Sequence, residues 1–113
     1  MSKLVFISGK YTGKDSVDTI YNIELAEYYG LSIAKMGGFP IIPHCNTRLP
    51  FTLIQPYDFF IDGYLRLLEK CDCVFMLPNW KGSHGANLEH NQAKLLRIPI
   101  HYELSSLLQW LKN

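Results

Sequence analysis

The run "CDCVFMLP", Cys71 to Pro78, is apolar at nearly every position after Asp72. A strand with one wet face alternates apolar and polar side chains. A strand without alternation has both faces covered. This segment therefore reads as a central strand of a sheet packed on both sides.

The flanking sequence supplies the covering layers. "KLVFIS" (Lys3 to Ser8) is a short apolar run that stops at Gly9 and reads as a buried strand. From Val17 to Met36, Ile20, Ile23, Ala26, Leu31 and Ala34 recur at roughly helical spacing, and Gly37–Gly38 ends the helix. "FPIIP" (Phe39 to Pro43) is a second short strand, and "HCNTRLPFTLIQP" a loop bracketed by prolines. Tyr57 to Lys70 reads as a helix with Phe60, Leu65 and Leu68 available for packing. "NWKGSHG" is a loop, Ala86 to Arg97 a helix, "IPIHY" a fourth strand, and Glu103 to Lys112 a closing amphipathic helix. Strands separated by helices predict an α/β fold with a four- or five-stranded parallel sheet and right-handed crossovers. At 113 residues the chain is expected to form one domain.

Bulk properties narrow the function classes. Apolar residues make up 48% and charged residues 19%, an ordinary globular balance. A formal net charge of +1 argues against an extended nucleic-acid surface or membrane electrostatics. No apolar run is long enough to span a bilayer, and the first residues lack the pattern of a signal peptide. Cys71, Cys73 and Cys45 make a poor zinc set, so buried free thiols and a cytoplasmic setting are expected.

Ligands of parallel sheets bind beyond the carboxyl ends of the strands. Two glycine-bearing loops fall there, Gly9 to Gly13 and Asn79 to Gly85. In the helix after the second loop, successive residues turn by about 100°. Ala86, Leu88, Ala93, Leu95 and Leu96 then share an apolar arc of roughly 180°. Asn87, His90, Asn91, Lys94 and Arg97 fill the other side, but Glu89 falls inside the apolar arc.

A carboxylate on a core stripe is costly unless a pocket or partner receives it. Ser83 and Gly85 sit where that helix begins, a position suited to a phosphate or carboxylate; Ser83 serves equally as a plain N-cap. Lys10, Tyr11 and Thr12 offer polar groups in the first loop. A buried glutamate beside an anion site suits glycosyl chemistry, where a carboxylate attacks or stabilises an oxocarbenium-like carbon. Trp80 either stacks on a ligand or covers the core edge. Arg48 is a solvated loop charge or a phosphate contact. His84 and His90 are six apart, not the spacing of a helical metal pair, so no metal site is expected.

The segments "FISGKYTG", "CDCVFMLPNW" and "GSHGANLEHNQAKLLRIPI", with the spacing Ser-x-Gly-x-x-x-Glu, resemble the nucleoside 2-deoxyribosyltransferase superfamily. The similarity runs from about Lys3 to Ile100. It is nearest to the small phage and bacterial branch, related to the deoxynucleoside 5'-monophosphate N-glycosidases. The resemblance implies a flavodoxin-like or Rossmann-like three-layer domain. It also implies a nucleoside or nucleotide substrate, no cofactor, and a homodimer or larger homo-oligomer.

By that resemblance Glu89 matches the nucleophile, and Ser83 and Gly85 the phosphate-contacting positions. Gly9, Lys10, Tyr11, Thr12 and Gly13 match the loop that wraps the ligand, and Ser8, Trp80 and Asn87 complete the candidate binding set. Two departures stand out. Phe6 occupies the place of a family tyrosine. Tyr64 occupies that of a family aspartate, with Asp62 two residues away. Asp62 and Tyr64 are thus the candidate helpers of Glu89. The expected activity is cleavage or transfer of an N-glycosidic bond; the alternative is a nucleotide-binding or nucleotide-sequestering protein without catalysis.

Overall fold

A computed structural model of the chain describes residues 1–47 and 54–113. Arg48 lies outside the described residues. Four strands, β1 (Leu4–Ser8), β2 (Phe39–Ile41), β3 (Cys73–Met76) and β4 (Ile100–His101), form a parallel sheet in the order β2-β1-β3-β4. Among the described residues five α-helices accompany them: α1 (Ser16–Lys35), α2 (Pro43–Asn46), α3 (Tyr57–Leu68), α4 (His84–Leu95) and α5 (Leu104–Leu111).

The lack of alternation in β1 and β3 has its expected cause, because both strands are covered on both faces. Val5, Ile7, Cys73, Phe75 and Leu77 pack with Ala26 and Ile33 of α1 and Leu107 of α5. Phe6, Val74 and Met76 face the other way, onto Leu68 of α3 and Ala86 and Ala93 of α4. The result is a three-layer α/β arrangement of the flavodoxin-like kind. Strand order reverses at β1, which is flanked by β2 and β3, so a crevice opens between the loops that follow β1 and β3.

Several expectations are corrected. The second strand ends at Ile41, and Pro43 opens the short helix α2 inside what reads as loop. Proline is suited to that first helical position, where its missing N–H costs nothing. On α1 the buried residues are Asn22, Ile23, Ala26, Gly30 and Ile33, while Ile20, Leu31 and Ala34 are exposed. On α4 the buried residues are Gly85, Ala86, Glu89 and Ala93, and Leu95 and Leu96 lie at the surface. The covered face of α4 is thus an arc of about 100°, narrower than the apolar arc read from the sequence, with Glu89 inside it. Cys71 and Cys73 are buried free thiols, pushed up to about 11 and about 12 by burial first and then by Asp72. Cys45 is exposed, because α2 turns it outward towards Glu27, 3.6 Å away.

Candidate active site

Side-chain alternation on β1 sends Phe6 and Ser8 to the same face, the one covered by α4. Ser8 is the last residue of the strand, so its hydroxyl reaches past the core to the loop end of the sheet. There its Oγ donates to Glu89 Oε1 at 2.6 Å, with both residues buried. Glu89 is 6% exposed. Burial opposes its charge and the Ser8 hydrogen bond partly offsets this, leaving the carboxyl pushed up to about 7. A group that titrates near neutrality can serve as carboxylate or as acid at cellular pH.

Glu89 lines a cavity of about 100 Å³. Pro43, Phe60, Ile61 and Ala86 give it an apolar wall, and His44 and Tyr64 add polar edges. An outer groove of about 310 Å³ continues from it past Lys10, Gly82 and His84. The inner cavity is smaller than the roughly 300–1,000 Å³ of most small-molecule sites, and the pair together falls in that range.

The loop after β1 is fastened on three sides. Lys10 N–H donates to Asn79 Oδ1 at 3.0 Å, and Asn79 Nδ2 donates to Asn22 Oδ1 at 3.3 Å. Asn22 Nδ2 in turn donates to the Tyr11 carbonyl at 3.2 Å. On the far side the Tyr11 hydroxyl donates to the Thr47 carbonyl at 3.1 Å. His44 Nε2 lies 3.1 Å from the Lys10 carbonyl, which makes that nitrogen the protonated one. Burial holds His44 below the usual histidine range, so the ring is neutral, and its Nδ1 is a buried acceptor with no partner among the described residues. Replacing Asn79 by alanine removes the tie between the two site loops. The expected cost is about 1–2 kcal/mol in chemical denaturation, from two lost hydrogen bonds that leave the Lys10 N–H and Asn22 Oδ1 without these partners.

The second loop is built by its own side chains. Ser83 caps α4, its Oγ accepting from Ala86 N–H at 3.1 Å. Asn87 Nδ2 donates to the carbonyls of Lys81 and Ser83 at 3.1 and 2.7 Å, and reaches that of Trp80 at 3.4 Å. It thereby braces the 3₁₀ turn Trp80–Gly82 instead of lining the cavity. Gly85 has no room for a side chain: an added Cβ would lie 2.9 Å from Ile61 Cδ1 and 3.0 Å from the Tyr57 hydroxyl.

Of the residues singled out in the sequence, Glu89, Gly9, Tyr11, Thr12, Tyr64, Ser83 and Gly85 line the inner cavity. Ser8 reaches it through Glu89, and Lys10 lines the outer groove. Gly13 is held against α1, its N–H donating to Thr19 Oγ1 at 2.8 Å. Trp80 stacks on His90 with ring centroids 4.3 Å apart and lines a separate cleft with Tyr29 and Tyr102. Asp62 is exposed on α3 and does not reach the cavity. The Tyr64 hydroxyl is taken up by α2, donating to the Pro43 carbonyl at 3.3 Å and accepting from Asn46 Nδ2 at 3.0 Å. Glu89 is therefore the one carboxylate lining the cavity among the described residues. No group of three His, Cys, Asp or Glu side chains among them could hold a metal ion.

Sequence reasoning missed Tyr57, Phe60, Ile61, Thr47 and the ring of His44 as cavity residues. Their signal was topological. The chain after β2 emerges at the same end of the sheet as the loop after β1, because those strands are parallel neighbours.

Residues 3–102 match the family described as Domain of unknown function (DUF4406). The chain belongs to that family. Every residue of the cavity and groove lies within the matched span, so the site is part of the family's shared domain. A comparison with curated proteins gave no match. No helix among the described residues is long and apolar enough to cross a membrane.

Proposed function

We propose that this DUF4406 protein cleaves or transfers the N-glycosidic bond of a nucleoside or its 5'-monophosphate, with Glu89 as nucleophile. The observation that carries this reading is the buried Glu89 carboxyl, fixed by Ser8 at 2.6 Å, at the wall of a largely apolar cavity. The resemblance of the three sequence segments supports it. Ser8 occupies Oε1, which leaves Oε2 to attack the anomeric carbon. As the Oε2–carbon bond forms, the carbon–nitrogen bond breaks, and the base leaves with the electron pair and takes up a proton. Water, or a second base, then displaces Glu89 from the glycosyl ester. An apolar cavity suits the base, and the groove with Lys10, at the start of α4, suits an anion.

Base release from a panel of nucleosides and 5'-monophosphates, followed by chromatography, tests the reading. The attacking form is the carboxylate, and Glu89 titrates near 7. Turnover should therefore rise with pH through about 7 and level off above it. The Ser8 hydrogen bond favours the charged form, so Ser8→Ala should move the midpoint upward. A profile that falls through this range would contradict a carboxylate nucleophile.

The alternative is a nucleotide binder without catalysis. Phe6 brings no hydroxyl to the cavity, and no second carboxylate stands beside Glu89 among the described residues. Ligand-induced thermal stabilisation with no base release at high protein concentration would favour it. The proposal includes a cytoplasmic setting, supported by the buried free thiols of Cys71 and Cys73, and a homo-oligomer, supported by Val17, Tyr21, Tyr28 and Leu31 exposed along α1. Sedimentation tests the latter.

A further inference from the structure

The inner cavity and the outer groove share four residues: Tyr11, Thr12, Tyr57 and Ser83. Each carries a hydroxyl. Two of these are engaged, Tyr11 with the Thr47 carbonyl and Ser83 with Ala86 N–H. The hydroxyls of Thr12 and Tyr57 form no hydrogen bond among the described residues. Gly85 leaves open the space next to which the Tyr57 hydroxyl stands, 3.0 Å from where a Cβ would be. Burial and the neighbouring Glu89 carboxylate hold the Tyr57 phenol above its ordinary value, so it stays protonated and able to donate.

This collar lies between two unlike compartments. Inward, the wall is apolar apart from Glu89 and the polar edges of His44, Thr47 and Tyr64; outward stand Lys10 and His84, with no carboxylate among the described lining residues. A ligand filling both needs an apolar end, an anionic end, and an uncharged hydrogen-bonding segment between them. Hydroxyls both donate and accept, so they match the hydroxyls of a sugar better than charged groups would.

We propose that Tyr57 and Thr12 read the sugar hydroxyls of the ligand, and that the site prefers a ribonucleoside 5'-monophosphate to its 2'-deoxy counterpart. This rests on the N-glycoside reading and names its sugar. Thr12 and Tyr57 are exposed without a ligand; a ligand seated in the collar covers them, and an analogue that lacks the matching hydroxyl then leaves the covered group unpaired.

Adenosine and cytidine 5'-monophosphates and their 2'-deoxy forms are titrated calorimetrically into the wild-type protein, Tyr57→Phe and Thr12→Val, and base release is measured in parallel. The ribo forms should bind about tenfold more tightly to the wild type, the worth of one well-made hydrogen bond. Tyr57→Phe should erase most of that ratio, weakening ribo binding by more than deoxy binding. Equal or tighter deoxy binding, a preference that survives both substitutions, or no nucleotide binding at all would overturn the inference. Ribo preference in binding without base release from any nucleotide would instead sink the glycosidic reading and leave the sugar collar standing.

Discussion

Glu89→Gln is expected to abolish base release and, at the same time, to make the protein more stable at alkaline pH. Glutamine keeps the size of the side chain and an oxygen for the Ser8 hydroxyl, but it cannot form the glycosyl ester. Loss of a nucleophile in other enzymes costs several orders of magnitude, so turnover should fall by roughly 10³-fold or more. The stability half follows from the raised pKa. The unfolded carboxyl titrates at its ordinary value near 4.5, the folded one near 7. Between those values the native state binds more protons than the unfolded state, so this group's contribution falls as pH rises, and the full penalty is present above about 7. The shift corresponds to about 3 kcal/mol. The two proteins should therefore unfold alike near pH 4.5, and Glu89→Gln should melt several degrees higher at pH 8. Thermal unfolding of both at the two pH values measures this. Equal melting at pH 8 would show that the carboxylate is not held at a cost.

Gly9→Ala should be the most damaging single methyl group in the site. A Cβ there would lie 2.5, 2.7 and 2.9 Å from Leu77 Cδ1, Cβ and Cγ. The first contact involves the end of the side chain, but the second involves an atom tied to the backbone. That backbone is pinned to β1, with Leu77 N–H donating to the Ser8 carbonyl at 2.8 Å, and Leu77 is fully buried. No rotamer change relieves the overlap, so the loop must move. A loss of about 3 kcal/mol is expected in chemical denaturation, the range of overpacked cores. Base release should fall as well, because the moving loop carries Tyr11 and Thr12. Gly63→Ala is the control: its Cβ meets nothing within 4 Å in the middle of α3, and it should stabilise by about 0.5–1 kcal/mol through helix propensity. Comparable losses in both variants would mean that the tight fit at Gly9 is not what matters.

The buried carboxylate was legible because helical phase is a local property. Its strongest test, burial of Glu89, depends only on which face of α4 meets the sheet. The same phasing overreached at Leu95, which points about 130° away from the centre of the buried face, and at Leu96, the cap residue where the helix stops. The parallel sheet was legible because β1 and β3 lack alternation. The Ser8–Glu89 bond was half legible: alternation gives the face of Ser8, but its partner lies 81 positions on, and only the strand order brings the two together. Tyr57, Thr47 and His44 carried no pattern of their own. They reach the cavity because a crossover from β2 passes the mouth of β1, and composition records nothing of that. Asn22 and Asn79 look like ordinary polar residues until the hydrogen bonds between them are seen.

The bond between Ser8 and Glu89 also sets a timetable. A chain emerging from the ribosome delivers the hydroxyl first and the carboxyl much later, after α1, β2, α3 and β3 have been made. Until α4 docks, the serine has no acid to hold, and the glutamate, still in water, titrates as any other. Reactivity of this kind cannot exist in a partial product, however well its first strands have paired. The proposed chemistry requires α4 to be docked, so base release is expected to recover after denaturation no earlier than the Ser8–Glu89 bond forms.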